Sequence, residues 1–327
     1  AVVIALLARP LAVLTLDDRS ARGLGLSLQR ARLLALAAAV YLSAGIVSAL
    51  GIVAFVGLAA PALARQLGAR TVRQRLLAAP VLGALLLLVT DQAVQRLDPL
   101  TPGLLPTGAV TALLGAPLLL WLLRRVRPGV APIRSAGAAP LHDDRPLRLA
   151  GVAVAAVGVV ALALLVGRDA VGWRLEGLLQ VLDASPWRAP RVAAAGVAGL
   201  LLALAGTILQ RLLRNPMASP EVLGISGGAL AGVTALVLLL PGAGQAGLVA
   251  AGSTGALLTT VGLLWFARHG ADAPERILLA GIAIKAIFDG LVGLVAASGS
   301  PVWPRLLSWV SGSTYGVGWP IVAAAAA

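Results

Sequence analysis

Three ionisable residues interrupt otherwise apolar stretches: Asp91 in one, and Lys285 with Asp289 in another. Residues four apart share a helix face, so Lys285 and Asp289 can pair. Lipid does not solvate charge, so such groups turn toward a partner or a water-filled cavity. Lys285 and Asp289 are therefore pathway candidates, the other reading being a self-neutralised pair at an interface between units. Asp91 reads as a structural bond to a neighbouring helix. Other chemistry is sparse. A phosphate-binding loop needs a Gly-Lys pair, but the sole lysine follows Ile284, so any ATP hydrolysis is expected in a partner. Gly23-Leu24-Gly25 lacks the third glycine of a dinucleotide fingerprint. There is no cysteine, and His142 and His269 lie far apart, so neither cofactor nor metal is expected. No Ser/His/Asp set or carboxylate cluster stands out, so no catalytic residue is expected and the chain does not read as an enzyme.

The elements carrying these residues follow from composition. The 327 residues are 59% hydrophobic and 12% charged, with a mean hydropathy of +0.94. Soluble domains carry about 25% charged residues, so the solvent for this surface is lipid. A spanning helix needs about 20 apolar residues. Candidate spans are 1–8, 33–50, 52–67, 76–95, 104–123, 148–167, 191–212, 222–240, 246–267, 277–297 and a last one from about 317. The segment 52–67 is short and contains Pro61, so a tilted or broken span is expected, with the break at Gly51. Arg124 to Leu147 holds four prolines and the run His142-Asp143-Asp144, which marks it as a linker.

The formal charge of +13 orients helices rather than binding nucleic acid. If each span crosses once, 19 arginines fall on one side and six on the other, with Lys285 inside a span. The arginine-rich side is assigned to the cytoplasm by the positive-inside rule.

Four stretches carry a resemblance. Arg188-Ala-Pro-Arg191 leads to Leu202-Ala-Leu-Ala-Gly206 and then Gln210-Arg-Leu-Leu-Arg-Asn-Pro-Met-Ala-Ser-Pro-Glu-Val-Leu-Gly224-Ile-Ser-Gly-Gly-Ala229. Ser20-Ala-Arg-Gly-Leu-Gly25 is followed by Gly51-Ile-Val-Ala-Phe-Val-Gly-Leu-Ala-Ala-Pro61. Leu105-Pro-Thr-Gly-Ala-Val-Thr-Ala-Leu-Leu-Gly-Ala-Pro117 ends at Trp121-Leu-Leu-Arg-Arg125, and Arg276-Ile-Leu-Leu-Ala-Gly281 completes the set. Together they resemble the iron-siderophore and cobalamin permeases of binding-protein-dependent ATP importers. The resemblance implies an all-α polytopic transmembrane bundle of about ten spans, of the type II ABC importer kind, in a bacterial inner membrane.

The order of the stretches is unusual for that family. Its second-half signature precedes the linker and its first-half signature follows. A fused double unit seen through its middle accounts for this order, as in the ferric hydroxamate branch. Residues 1–123 would then close a first permease unit, 124–147 link, and 148–327 open a second. A circular permutation is the less economical account.

The resemblance also implies roles. The basic loop 9–32, through Ser20, Ala21, Arg22, Gly23 and Gly25, corresponds to the segment coupling a permease to its ATPase. Asp17 and Asp18 stand where the family has Gly-Glu. Arg188 and Arg191, with Arg96 as a third, correspond to arginines that dock acidic residues of the binding protein, a task suited to the guanidinium fork. Interfacial anchoring is the alternative for all three. The Asn215-Pro216 to Gly224 stretch reads as a structural turn, and Ser226-Gly227-Gly228 as a close-packing patch. Implied partners are a cytoplasmic ABC ATPase in two copies, a periplasmic or lipid-anchored binding protein, a ferric siderophore of hydroxamate type, and membrane lipid. Cobalamin or haem is the alternative cargo. An ion-coupled secondary transporter, from a different class, would need a relay of buried ionisable residues, and only Asp91, Lys285 and Asp289 qualify.

Overall fold

A computed structural model describes residues 28–53, 55–69, 71–97, 110–111, 145–169, 172–175, 178–213, 215–216, 218–267, 281, 284–285, 287–288, 290, 292, 295, 303–314 and 317–326. The coupling segment Ser20, Ala21, Arg22, Gly23 and Gly25, spans 1–8 and 104–109 with 112–123, linker positions 124–144 and Asp289 lie outside them.

The chain is a polytopic bundle of apolar helices. In chain order these are α1 (Leu28–Leu50), α2 (Val56–Gln66), α3 (Val72–Leu97), α4 (Arg145–Leu165), α5 (Leu178–Leu212), α6 (Ile225–Leu239), α7 (Gln245–Ala267), α8 (Trp303–Ser311) and α9 (Trp319–Ala326). Four stretches are long and apolar enough to cross a membrane: Ala31–Leu50, Val72–Gln95, Arg188–Leu212 and Ala246–Leu263. Large apolar side chains such as Leu34, Val154, Leu257, Leu258 and Val261 are exposed on these helices, as expected where the surroundings are lipid.

Helix α5 is the centre, packing against α1, α2, α3, α4 and α9. It runs antiparallel to α3, and glycine makes their close crossing feasible: a methyl group at Gly199 would overlap the Gly83 carbonyl, and one at Gly83 the Gly199 carbonyl. Further along α5, Gly206 meets the Gly57 backbone of α2. Lipid tails are as apolar as the helices, so association relies on such backbone approach and van der Waals contact. The same device joins α6 to α7, where Gly228 abuts Gly255 and Thr259.

The expected break after α1 is present. Gly51 adopts φ 79° and Phe55 φ 67°, the left-handed region that only glycine enters without strain. The freed backbone groups are met inside the protein: the Ile52 amide donates to the Trp309 carbonyl at 3.1 Å, and the Ser313 amide to the Leu50 carbonyl at 2.8 Å. Irregular backbone within a membrane bundle requires this kind of internal satisfaction. With 11 residues, α2 is about 16 Å long, too short to span about 30 Å of hydrocarbon. Segment 52–67 is thus a partial helix that starts within the bundle.

Four departures from the sequence expectation stand out. Helix α4 starts at Arg145, inside the linker bounds drawn at 147; Pro146 falls in its first turn, where a missing amide costs nothing. An antiparallel strand pair, β1 (Val166–Asp169) with β2 (Gly172–Leu175), follows it, pairing Val166 with Leu175 and Asp169 with Gly172. Helix α5 begins at Leu178 rather than 191 and runs through Pro186 and Pro190. Helix α8 lies where no element was expected.

Candidate functional site

The antiparallel register of α3 and α5 brings Asp91 to Arg191. Asp91 is fully buried on α3, in a stretch that otherwise reads as core. Its Oδ1 accepts a hydrogen bond from Arg191 Nε at 2.9 Å, and this ion pair leaves the arginine side chain 15% exposed. The Thr314 hydroxyl, just after α8, donates to the same oxygen in a short contact. Gln95, one turn along α3, donates its amide to Oδ2 at 2.6 Å. Both carboxylate oxygens are therefore engaged, and three segments meet at one anion. A buried carboxylate is tolerated only when paired and hydrogen-bonded in this way. Asp91 does bond a neighbouring helix.

Arg188 precedes Arg191 by one helical turn on α5, and it is partly exposed. Arg96 lies near the end of α3, five residues beyond Asp91. The three arginines singled out in the sequence thus belong to the same end of the α3–α5 pair. Arg191 differs from a simple exposed cation: its Nε is committed to Asp91. Contact with another protein through Arg191 would have to use its terminal nitrogens.

At the opposite end, Arg65 in the last turn of α2 donates from Nη1 to Gln210 Oε1 at 2.7 Å. Arg75 in α3 donates from Nε to the Ala69 carbonyl at 2.8 Å. A capping box sets the start of α3: the Thr71 amide donates to Gln74 Oε1 at 3.1 Å, and the Gln74 amide to Thr71 Oγ1 at 3.2 Å. Arg211 occupies the last turn of α5. Burial, and next the Arg211 charge, hold the Arg65 guanidinium below its ordinary value.

Lys285 is helical and half-buried, and the backbone around it packs on the start of α6: a methyl at Gly224 would lie 2.8 Å from the Gly281 carbonyl and 3.2 Å from the Lys285 amide. The carboxylate its charge acts on is Glu221, in the turn between α5 and α6. Glu221 is only partly buried as a residue, but its Oε1 is enclosed and has no hydrogen-bond partner among the described residues. Burial raises its affinity for a proton. The Ser219 hydroxyl, its own backbone amide, the Lys285 charge and the Phe55 amide oppose that effect. Among the described residues, no three His, Cys, Asp or Glu side chains gather as a metal site.

The sequence pointed to Asp91, but not to its partners Arg191, Gln95 and Thr314. Gln95 was in reach of inspection, four residues on along one helix face. Arg191 and Thr314 are separated from Asp91 by 100 and 223 residues, and no local spacing announces them. Glu221 was absorbed into a turn motif, and Arg65 with Gln210 left no signal beyond the arginine count.

Comparison with known proteins places this chain in a family. The model of the FecCD transport family matches residues 1–125 and 155–327. The chain is 47% identical over 313 residues to the iron(3+)-hydroxamate import system permease protein of Escherichia coli (strain K12), covering 95% of this chain and 47% of that protein. Against its namesake from Salmonella typhimurium the identity is 46% over 312 residues, covering 95% of this chain and 45% of the relative. The vitamin B12 import system permease protein of Vibrio cholerae is 38% identical over 134 residues, 40% of each chain. The chain spans about half the length of the hydroxamate permeases it matches. No solved structure matches it. The chain belongs to the FecCD transport family.

Proposed function

We propose that this chain is part of the translocation subunit of an ATP-driven importer for iron(III)-hydroxamate siderophores, in a bacterial inner membrane. The observation that carries the reading is the extent of identity: 46–47% across 95% of the chain for two hydroxamate permeases. The vitamin B12 permease matches 40% of the chain. Likeness through both family-matching stretches and the region between them supports cargo of the hydroxamate class. It also supports reading 1–123 as the end of one permease unit and 148–327 as the start of another, around a cytoplasmic joint.

In this reading the bundle supplies the path. ATP is hydrolysed by a cytoplasmic ATPase pair that engages the loop around Ser20 to Gly25, and a binding protein delivers the siderophore. Arg96, Arg188 and Arg191 form the docking end, with Arg191 oriented by Asp91. Lys285, facing Glu221, and Asp289 remain pathway candidates.

The test is uptake. The full-length protein, with its ATPase and binding protein in proteoliposomes, should accumulate a radiolabelled ferric hydroxamate on ATP addition. Accumulation of cyanocobalamin or haem in its place would reassign the cargo. Uptake driven by an ion gradient without ATP would sink the ATP-importer reading.

A further inference from the structure

The cluster of Arg65, Arg75 and Arg211 lies at the end of the α3–α5 pair opposite Arg188 and Arg191, and its composition is unusual. Three helix ends converge there: the last turn of α2, the first turns of α3 and the last turn of α5. Arg65 is fixed by a neutral partner, the Gln210 amide oxygen, and one contact of Arg75 is the Ala69 carbonyl. Among the described residues no carboxylate pairs with Arg65 or Arg211. The charges repel one another directly: Arg211 acts on Arg65, and both act on Arg75. All three are partly buried, so water screens this repulsion incompletely. Like charges held together by the fold and partly desolvated create a strong local preference for an anion.

Depth identifies the anion. Arg75 and Arg211 lie at the ends of the apolar stretches Val72–Gln95 and Arg188–Leu212, the level of lipid headgroups. This is the end that the arginine count assigns to the cytoplasm, the leaflet face where basic pockets between helices hold anionic headgroups. We propose that Arg65, Arg75 and Arg211 form a site for the phosphate of an anionic phospholipid of the inner leaflet, bound where α2, α3 and α5 meet. Arg65 and Arg75 are held in advance by Gln210 and the Ala69 carbonyl, so less side-chain freedom is lost when the phosphate arrives. The site is independent of the cargo transported.

The experiment measures lipid retention by native mass spectrometry on the full-length protein, extracted from nanodiscs of phosphatidylcholine with a minor fraction of phosphatidylglycerol. The wild type should retain phosphatidylglycerol in preference to phosphatidylcholine. Each arginine near a membrane surface contributes about 1 kcal/mol, so Arg65→Gln/Arg211→Gln should weaken retention about fivefold per arginine removed. Arg73→Gln, an exposed neighbour, should retain lipid as the wild type does. If the double variant does not insert, Arg211→Gln alone gives the same reading at half the effect. Equal retention by wild type and variant overturns the proposal. So does displacement of the lipid by millimolar inorganic phosphate, which assigns the site to a free anion. Loss of retention on adding the ATPase also overturns it, because the cluster would then serve protein carboxylates.

Discussion

The two ends of the α3–α5 pair use arginine in opposite ways. At one end Arg191 meets a fully buried carboxylate whose two oxygens are both engaged, so its charge is matched within the fold. At the other, Arg65 meets a neutral amide and the charge of Arg211. The first arrangement is complete without any partner and ties α3, α5 and the stretch after α8 together. The second, in the proposal above, is completed by an external anion. The same residue type is thus a lock in one place and a receptor in the other, and what separates them is one carboxylate. Charge counts along a membrane chain report topology, but they do not say which cations are matched.

The sharpest way to break the contrast is to remove that carboxylate. Asp91→Ala leaves Arg191 buried and uncompensated, and Thr314 and Gln95 lose their acceptor. Breaking a buried pair from one side costs about 3–5 kcal/mol. Thermal unfolding of the full-length protein in nanodiscs should show a loss of that order for Asp91→Ala, and a smaller one for Asp91→Asn, which keeps an acceptor. Asp91→Leu/Arg191→Met should be milder than the sum of its parts. A loss below about 1 kcal/mol for Asp91→Ala, the range of exposed pairs, would mean that the two ends do not differ as described.

Much of the bundle was legible because lipid imposes one dominant rule: apolar runs of spanning length become helices. The break at Gly51 and the partial helix carrying Pro61 followed from local backbone chemistry. The start of α5 was misplaced: the expected span opened at 191, whereas the helix begins at Leu178, ahead of two prolines, residues that normally mark a boundary. Here α5 continues through both, and membrane helices tolerate such residues where neighbours satisfy the freed groups. The lock at Asp91 was half legible. An acid in an apolar stretch must have a partner, but the identity of that partner depends on the α3–α5 register, which glycine contacts such as Gly83 with Gly199 set. The hairpin and α8 left no periodic signal long enough to read.

Docking gives a finer test of the same contrast. Arg188 and Arg191 share a motif, and Arg191 is the one seen paired with Asp91. Arg188→Ala should weaken binding-protein affinity by about 1.5–3 kcal/mol, the value of a charge-assisted contact, with little shift in unfolding temperature. Arg191→Ala should lower both affinity and unfolding temperature, because Asp91 loses its counter-charge. Added salt should weaken the wild-type complex more than either variant. Affinity measured in nanodiscs at two ionic strengths decides the matter. Unchanged affinity and salt slope for Arg188→Ala would make that residue an interfacial anchor.

The smallest expected effect concerns Glu221, an acid that is neither fully locked nor exposed. Its ordinary value is 4.5, and burial raises it in the folded chain. Between those two values the folded chain holds a proton that the unfolded chain has released. Stability contributed by this group is therefore complete below pH 4.5 and falls as pH rises through the folded value, levelling off above it. A single site changes stability by at most about 1.4 kcal/mol per pH unit. Glu221→Gln removes the titration while keeping the shape, so its unfolding temperature should vary less between pH 5 and 7 than that of the wild type. The charge of Lys285 opposes the burial effect, so Lys285→Met should push the Glu221 titration higher and steepen the same slope. If the wild type and Glu221→Gln share one pH profile, the enclosed Oε1 is reached by solvent, and Glu221 joins the exposed acids instead of standing between the two ends.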